Sequence, residues 1–514
     1  MEFSSYTFVV FFLPAVVLGA IVLMRRGTQR ARLLFLAGAS LVFYSWWDWR
    51  FTGVLALSLI VNFMVGRALA SAPHRGMLAA GIAFNLLLLG YFKYVDFFIG
   101  NLNAVTGIDI ATLGVVLPLG ISFFTFQQIA YLVDVHRREA VEHSFSHYLL
   151  FVTFFPQLIA GPIVHHKEMM PQFVGGRAGR VLPATFSQGL AIFVVGLFKK
   201  VMIADSISQF ADPVFDAAAG GVAVPMLEAW GGVTAYSFQI YFDFSAYSDM
   251  AIGLGLMFGL RLPINFNSPY KATSIVDFWR RWHITLSRFL RDYLYIPLGG
   301  SRRGPWRRYA NLAIVMLLGG LWHGAAWTFV IWGALHGAAL AATHFWRRNV
   351  LGRAPHSEPR TAAGRTFGVA STFLFVTVAW VFFRAPDLDS AVILLSGMAG
   401  LNGIVLPHTY FSYLGPLGPA AAEAGIRFEE AYLFLGFDQL LWLFGLLALV
   451  WGAPNTLQWA VYRPPAGTPS PRMIDWAAIL RWRPSAAWAV TLSAASIACL
   501  VFMSRGGTFL YFQF

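Results

Sequence analysis

Two histidines stand in polar, aromatic surroundings within a very apolar chain. His283 lies in the run FWRRWHITLSRFLRDYLY (278–295), and His323 lies in GGLWHGAAWTFVIWGALHG (319–337). A charged group inside a membrane costs about 2.5 kcal/mol or more, so an ionisable residue there is a functional candidate by default. Histidine can be neutral near pH 7 and still exchange a proton. The sequence therefore marks both residues as candidates for proton-transfer chemistry.

A third histidine, His336, follows in the same apolar stretch. On one continuous helix, His323 and His336 would point to largely different faces and stand about 20 Å apart along the axis. We therefore expect a structural or supporting role for His336. Neighbouring helical residues such as His165 and His166 do not face the same way, and the chain contains no H-E-x-x-H motif. The sequence predicts no metal site.

Polar side chains also occur among the aromatic residues of the stretch 234–259, where they could line a water-filled path or simply pair with one another. The segment 277–295 alternates aromatic and charged residues, which is typical of a helix at the membrane interface or along a cavity. We expect substrate contacts from residues of these stretches and from the tryptophans beside the histidines: Gln239, Asp243, Ser245, Arg280, Arg281, Trp282, Trp322 and Trp327.

Composition places the chain in a membrane. Of its 514 residues, 58% are hydrophobic and 12% are charged, whereas soluble proteins carry about 25% charged residues. Apolar runs recur along the whole length and predict an all-α polytopic membrane protein with about ten to thirteen spans, several of them shortened or broken by Gly and Pro. The single cysteine, Cys499, excludes internal disulfides and a cysteine-rich metal site.

The net charge of +13 does not indicate nucleic-acid binding, because the basic residues lie in short loops between apolar runs. The first such loop, 25–32, places the amino terminus outside, and the acidic segment 205–228, interpreted as a loop, is also expected outside. The basic loop 454–484 is expected inside, which puts the carboxyl terminus outside as well. Between 140 and 300 the alternation fails, which favours re-entrant or interfacial helices there.

Five segments together resemble the membrane-bound O-acyltransferase family. They are FWRRWHITLSRFLRDYLYIPLGG (278–300), LLGGLWHGAAWTFVIWGALHG (317–337), YFDFSAYSDMAIGLGLMFG (241–259), LIAGPIV (158–164) and LPLGISFFTFQQIAYLVDV (117–135). The opening MEFSSYTFVVFFLP and the ending FLYFQF are similar too. The resemblance therefore covers residues 1–514 as one domain and is most specific over 117–337.

This resemblance implies a ring of tilted and re-entrant helices around a central tunnel. It also implies that His323 corresponds to the invariant histidine of the family, and His283 to a second functional position that is His or Asn in different branches. The family's donors are acyl thioesters on the cytoplasmic side. Its polysaccharide-modifying branch works with periplasmic partners of the SGNH-hydrolase type, and no permanently bound cofactor is implied.

We accordingly expect a bacterial inner-membrane enzyme, with both termini periplasmic, that uses cytoplasmic acetyl-CoA to O-acetylate an exported polysaccharide. Alginate is the first expectation, and cellulose or another exopolysaccharide is the second. His323 would be the general base, while His283 would position the thioester or stabilise the oxyanion. Four arginines could hold the CoA phosphates, although ordinary positive-inside topology also explains them: Arg302, Arg303, Arg307 and Arg308. The rival class is a transporter of lipid-linked sugar, which would use the same polar interior without covalent chemistry.

Overall fold

The computed structural model describes residues 1–140, 144–352, 359, 361–429, 433–470, 480–505, 507 and 509–510. Two segments used in the sequence analysis lie outside the described residues: 511–514 of the C-terminal motif and 471–479 of the expected basic loop. The rest folds mainly into helices, as the composition predicts. A single small element departs from the all-helical expectation within the described part: strand Ile404–Pro407 pairs in parallel with strand Ile426–Glu429.

Most of the chain follows a succession of helices that differ widely in length. The α-helices are Leu13–Arg26, Gln29–Ser45, Arg50–Ser71, Arg75–Leu89, Val95–Thr106, Ile121–His136, Phe145–Thr153, Phe155–Leu158, His166–Val174, Pro183–Phe198, Asp205–Ala219, Met226–Met257, Ile275–Phe278, Ile284–Leu290, Pro305–His323, Trp327–Phe345, Ala362–Arg384, Leu388–Met398, Thr409–Tyr413, Leu417–Glu423, Phe437–Gly452, Thr456–Trp459 and Ala486–Phe502. Several are extended by π-helical turns, which are Thr7–Phe12, Gly90–Tyr94, Lys199–Ala204, Arg291–Tyr295 and Trp346–Val350.

Four helical segments of the described chain are both long enough and apolar enough to cross a membrane. They are Thr7–Arg26, Arg50–Ser71, Arg75–Thr106 and Ala362–Arg384. Other apolar runs form helices shorter than the roughly 20 residues of a full span, such as Leu388–Met398, Phe437–Gly452 and Ala486–Phe502, and the expectation of about ten to thirteen spans included shortened ones. The fold is therefore a helical polytopic one in which much apolar sequence packs inside the protein.

The long helix Met226–Met257 runs through the interior and is buried over most of its length. Glycines bring its backbone against the helix Pro183–Phe198. A Cβ added at Gly253 would stand 2.5 Å from the carbonyl oxygen of Gly189, and the same holds in the opposite direction. Small residues at such crossings let two membrane helices approach closely and gain packing that lipid cannot supply.

Lys200 forms a buried ion-pair cluster at the edge of this core. Its Nζ lies 2.7 Å from Asp205 Oδ1 and 2.8 Å from Asp243 Oδ1. A buried ammonium is tolerated only when it is paired and hydrogen-bonded, so these carboxylates are structural partners. The segment 205–228 was expected to be an outside loop, but Asp205–Ala219 is a helix whose first residue faces an internal lysine.

Besides the long helix Met226–Met257, the region 140–300 contains several short helices joined by irregular turns. The prediction of one amphipathic helix over 277–295 is wrong, because the segment is interrupted. Two short helices, Ile275–Phe278 and Ile284–Leu290, are separated by a turn that contains His283. The helix does not continue here because Ile284 N donates to the carbonyl oxygen of Asn265 in a neighbouring segment, and the Arg281 carbonyl oxygen accepts from Asn267 N.

The glycine contact in the core generates a stability prediction. Gly253→Ala should lower the thermal unfolding midpoint in detergent, because overpacking a tight contact costs about 1–3 kcal/mol. Gly445→Ala is the matched control, since no atom lies within 4 Å of its added Cβ, and alanine favours a helix over glycine by about 1 kcal/mol. Equal midpoints for both variants would show that the crossing does not limit stability.

Candidate active site

His323 is the last residue of the helix Pro305–His323. The chain then turns at Gly324 and returns antiparallel as the helix Trp327–Phe345. Gly320 and Gly333 lie on the facing sides of this hairpin, where added Cβ atoms would collide with the opposite backbone. The hairpin is tight because these residues have no side chain, and its turn leaves His323 at a helix end.

This turn overturns the premise used for His336, because the two histidines do not share one continuous helix. The Trp332 ring centroid lies 5.2 Å from that of His323 and 4.6 Å from that of His336. Trp279 Nε1 also lies 3.3 Å from His336 Nδ1 and donates to it. His336 therefore stands one aromatic ring behind His323, with Trp332 between the two.

Lys93 holds the helix end that carries His323. Its Nζ lies 2.7 Å from the carbonyl oxygen of Trp322 and 2.9 Å from that of His323. Tyr94 donates its hydroxyl to the carbonyl oxygen of Leu321 at 2.8 Å. The last carbonyls of a helix have no intrahelical donors, and a cation there also complements the helix dipole. The sequence argument missed Lys93, although a single lysine at the end of an apolar run was a usable signal.

His283 is held in a turn by a neighbouring extended segment. Ile284 N donates to the carbonyl oxygen of Asn265 at 3.0 Å, and Asn267 N donates to that of Arg281 at 2.9 Å. The side chain of Asn265 also contacts the histidine, with Oδ1 3.1 Å from Nδ1. The His283 residue is completely buried, so protein groups surround its ring.

The two candidate histidines meet in space. Their ring centroids are 6.2 Å apart, and the Trp322 ring contacts both, at 6.1 Å from His283 and 5.0 Å from His323. Phe244 lies edge-on to His283 at 4.8 Å. The two imidazoles come from separate sequence motifs and lie together among aromatic side chains.

A cavity of about 120 Å³ opens onto His323, one member of this pair. Its lining includes Trp47, Lys93, Phe123, Trp322 and His323. The space holds several water-sized groups, so an acetyl group fits in it. On another side, Trp332 and Phe383 close the centre with rings 5.2 Å and 5.1 Å from His323.

The expected substrate residues divide into two groups. Near the centre, Trp322 is buried against Phe126, and Trp282 is buried with its ring 5.0 Å from that of Trp380. Trp380 stacks on Trp332, which contacts His323, so Trp282 belongs to the same aromatic cluster.

The other residues expected to contact substrate have contacts or exposures of their own. Asp243 bonds Lys200 and the Leu510 amide, and Gln239 and Ser245 are buried on the same helix. Arg280 is exposed, and Arg281 Nε pairs with Asp277 at 2.9 Å. Trp327 is 53% exposed and donates to Asn101.

The basic cluster lies at the start of the helix that carries His323 at its other end. Arg302, Arg303 and Arg307 are exposed, and Arg308 is half-buried with its guanidinium 5.2 Å from the Tyr309 ring centroid. No group of three or more His, Cys, Asp or Glu side chains is placed to hold a metal ion among the residues that the structure describes. The chemistry available at the histidine pair is therefore that of imidazole, ammonium and indole groups.

Comparisons with known proteins show which family this chain is similar to. The model of the membrane-bound O-acyltransferase family matches residues 41–384. A peptidoglycan O-acetyltransferase of Helicobacter pylori is 47% identical over 436 residues, covering 79% of this chain and 81% of that protein. A probable alginate O-acetylase, AlgI, of Pseudomonas putida is 39% identical over 527 residues and covers 100% of both chains. A teichoic acid D-alanyltransferase of Streptococcus thermophilus is 26% identical over 52% of this chain and 68% of its own length.

The Lys93 contact generates a prediction for the site. Lys93→Met should reduce acyl transfer at least tenfold, because the carbonyls at the His323 end lose a charge-assisted donor worth about 1.5–3 kcal/mol. Tyr94→Phe is the matched control. It removes a neutral bond to the same helix end, so the loss should stay within a few-fold. The two variants would be compared by their transfer rates at equal amounts of inserted protein. Equal losses in both would contradict a special role for the Lys93 ammonium.

Proposed function

This chain belongs to the membrane-bound O-acyltransferase family, and we propose that it uses cytoplasmic acetyl-CoA to O-acetylate an exported polysaccharide. As a multi-pass membrane O-acyltransferase it carries out covalent chemistry, so the alternative of a transporter loses its support. The observation that carries the proposal is the buried pair of His283 and His323, which meet beside a small cavity. The names of the similar proteins support acetyl as the group and oxygen as the acceptor atom.

In this proposal His323 is the general base. It takes the proton of the acceptor hydroxyl while the hydroxyl oxygen attacks the thioester carbonyl carbon. The new C–O bond forms, the C–S bond breaks, and the proton passes to the leaving thiolate, which departs as free CoA. Such proton transfer contributes about 10²- to 10⁴-fold to a rate. His283 holds the reacting groups by a hydrogen bond from its place beside both Trp322 and His323.

A water-poor centre suits this chemistry, because water would compete with the acceptor hydroxyl for the thioester. Trp322, Trp332 and Phe383 surround His323, whose own exposure is only 5%. The Lys93 ammonium sits at the cavity wall beside the same residue. A cation in an apolar wall stabilises negative charge that develops on the carbonyl oxygen more strongly than it would in water.

Two adjoining cavities near the basic cluster support a donor site there. One, of about 390 Å³, is lined by Thr343, Arg347 and Phe375 among others, and the Phe375 ring lies 5.4 Å from that of His336. The other, of about 710 Å³, is lined by Trp306, Tyr309 and again Arg347. Acetyl-CoA bound here would place its phosphates near Arg302, Arg303, Arg307 and Arg308, while its thioester would reach toward the aromatic cluster.

The proposal also names the polymer and the orientation of the protein in the membrane. The similar proteins carry the names of an alginate and a peptidoglycan acetylase, and both polymers present sugar hydroxyls. We keep alginate as the first candidate, because a relative of that name covers the whole chain, with cellulose or another exopolysaccharide second. The chain would lie in the bacterial inner membrane with both termini in the periplasm, as the basic loops indicate.

His323→Ala should abolish acetylation of the polymer while leaving insertion intact, because alanine is tolerated in a membrane and cannot take a proton. His74→Ala, which removes an exposed histidine far from the pair in sequence, is the control and should retain full transfer. Acetyl content would be measured per amount of inserted protein. Near-normal acetylation by the His323 variant would remove this residue from the mechanism.

The small cavity leads to a prediction about a partner. The passage to His323 is lined by aromatic side chains, and it suits a serine side chain or an acetyl group better than a bulky polysaccharide chain. We therefore expect the purified chain alone to hydrolyse acetyl-CoA slowly or to acetylate small acceptors. Adding a periplasmic SGNH-hydrolase-like protein should then bring transfer to the polymer. Efficient polymer acetylation by this chain alone in reconstituted vesicles would contradict the need for a partner.

A further inference from the structure

Hydrogen bonds around Asn265 determine which of its amide atoms faces the candidate site. Asn265 Oδ1 lies 3.3 Å from Thr285 N, 3.0 Å from Thr285 Oγ1 and 3.1 Å from His283 Nδ1. A backbone N–H can only donate, so the amide atom that faces Thr285 N is an acceptor. The other amide atom, Nδ2, donates to Ser248 Oγ at 3.4 Å. The contacts of both amide atoms are compatible with this orientation of the side chain.

The contacts of Thr285 and Asn265 show which nitrogen of His283 carries a hydrogen. Ile163 N donates to Thr285 Oγ1 at 3.0 Å, which occupies a lone pair of that oxygen. The hydroxyl proton is then directed to Asn265 Oδ1. Because this oxygen only accepts, the nitrogen of His283 that faces it must carry a hydrogen.

We infer that Asn265 is a positioning residue that holds His283 in the tautomer protonated at Nδ1, so that Nε2 presents a lone pair to the reaction centre. The inference rests on the proposed function and assigns His283 the part of a hydrogen-bond acceptor in the transfer. A neutral imidazole of this tautomer cannot donate from Nε2 to an oxyanion. Of the two roles expected from the sequence, positioning of the reacting groups fits and oxyanion stabilisation does not.

The backbone at His283 shows how firmly the ring is held. His283 has φ 43° and ψ 53°, a left-handed conformation that costs a residue with a side chain about 1–2 kcal/mol. Asn265 compensates through its main chain, which accepts from Ile284 N at 3.0 Å, and through its side chain, which accepts from the histidine itself. Strain of this kind persists only where the surroundings over-determine the geometry, and such places are typical of functional sites.

The tautomer can be read directly by ¹⁵N nuclear magnetic resonance of the full chain labelled at histidine, in detergent and without substrate. The His283 signals are identified by their loss in His283→Gln. The wild type should show a protonated Nδ1 and an unprotonated Nε2 at this residue. A protonated Nε2 with a bare Nδ1 in the wild type would overturn the inference, whether or not the protein transfers acetyl groups.

Variants then connect the tautomer to the rate. Asn265→Leu keeps the approximate size but accepts nothing, so it should lose the Nδ1–H signature and reduce acetyl transfer by about 10²-fold or more. Asn265→Asp retains an acceptor oxygen and should keep the signature with a rate within about tenfold of wild type. Asn85→Leu removes another buried asparagine, one that bonds Asn62, and should leave both readouts unchanged.

These outcomes separate the inference from the proposed function. If Asn265→Leu keeps both the Nδ1–H signature and the full rate, Asn265 does not position His283. If Asn85→Leu slows transfer as much as Asn265→Leu does, the loss reflects general damage to the core and the inference is overturned. A wild-type chain that transfers no acetyl group with any partner would refute the proposed function while leaving the tautomer measurable.

Discussion

Backbone groups inside a membrane protein need partners, and this requirement determines how the reaction centre is built. His323 terminates a helix and His283 sits in a turn, so both lie where regular helical hydrogen bonding fails. In each case a side chain from a distant part of the sequence supplies what is missing: Lys93 donates to the carbonyls at the helix end, and Asn265 accepts from the turn. The groups that satisfy the backbone are thus the groups that orient the two imidazoles.

The packing around the pair follows from the same constraint. Glycines at the crossings bring helices close enough for large rings to interlock, and Trp322, Trp332 and Trp380 fill the space behind the histidines. Aromatic rings provide apolar volume with few rotatable bonds, so they exclude water and keep the imidazoles in place. What stays open to His323 is a cavity walled by Trp47, Phe123 and Trp322, in which a small acyl group fits.

Much of this could be predicted from the sequence. Membrane location and helical class follow from hydropathy, and His283 and His323 stand out because ionisable residues in apolar runs are rare. The resemblance of five motifs correctly indicated the family. Which of the shorter apolar helices cross the membrane could not be predicted, because an apolar helix buried in protein has the same composition as one that faces lipid.

Other features could not be predicted because they depend on tertiary contacts. The turn at Gly324, which separates His323 from His336, replaces a helix that periodicity alone would continue. Asn265 lies in an irregular segment without a periodic pattern, and its importance appears only when Thr285 and His283 are placed around it. Asp243 looked like a substrate contact because a buried carboxylate is costly, yet Lys200 explains its burial.

The central claim is that His283 and His323 act as one unit, and a double-mutant cycle tests it most directly. Acetyl-transfer rates would be measured for His283→Ala, for His323→Ala and for the double variant, each at equal amounts of inserted protein. Residues that act together in one step show strongly non-additive losses, so the double variant should be about as slow as the slower single variant. Losses that multiply, so that the double variant falls by the product of the two single effects, would contradict a shared reaction centre.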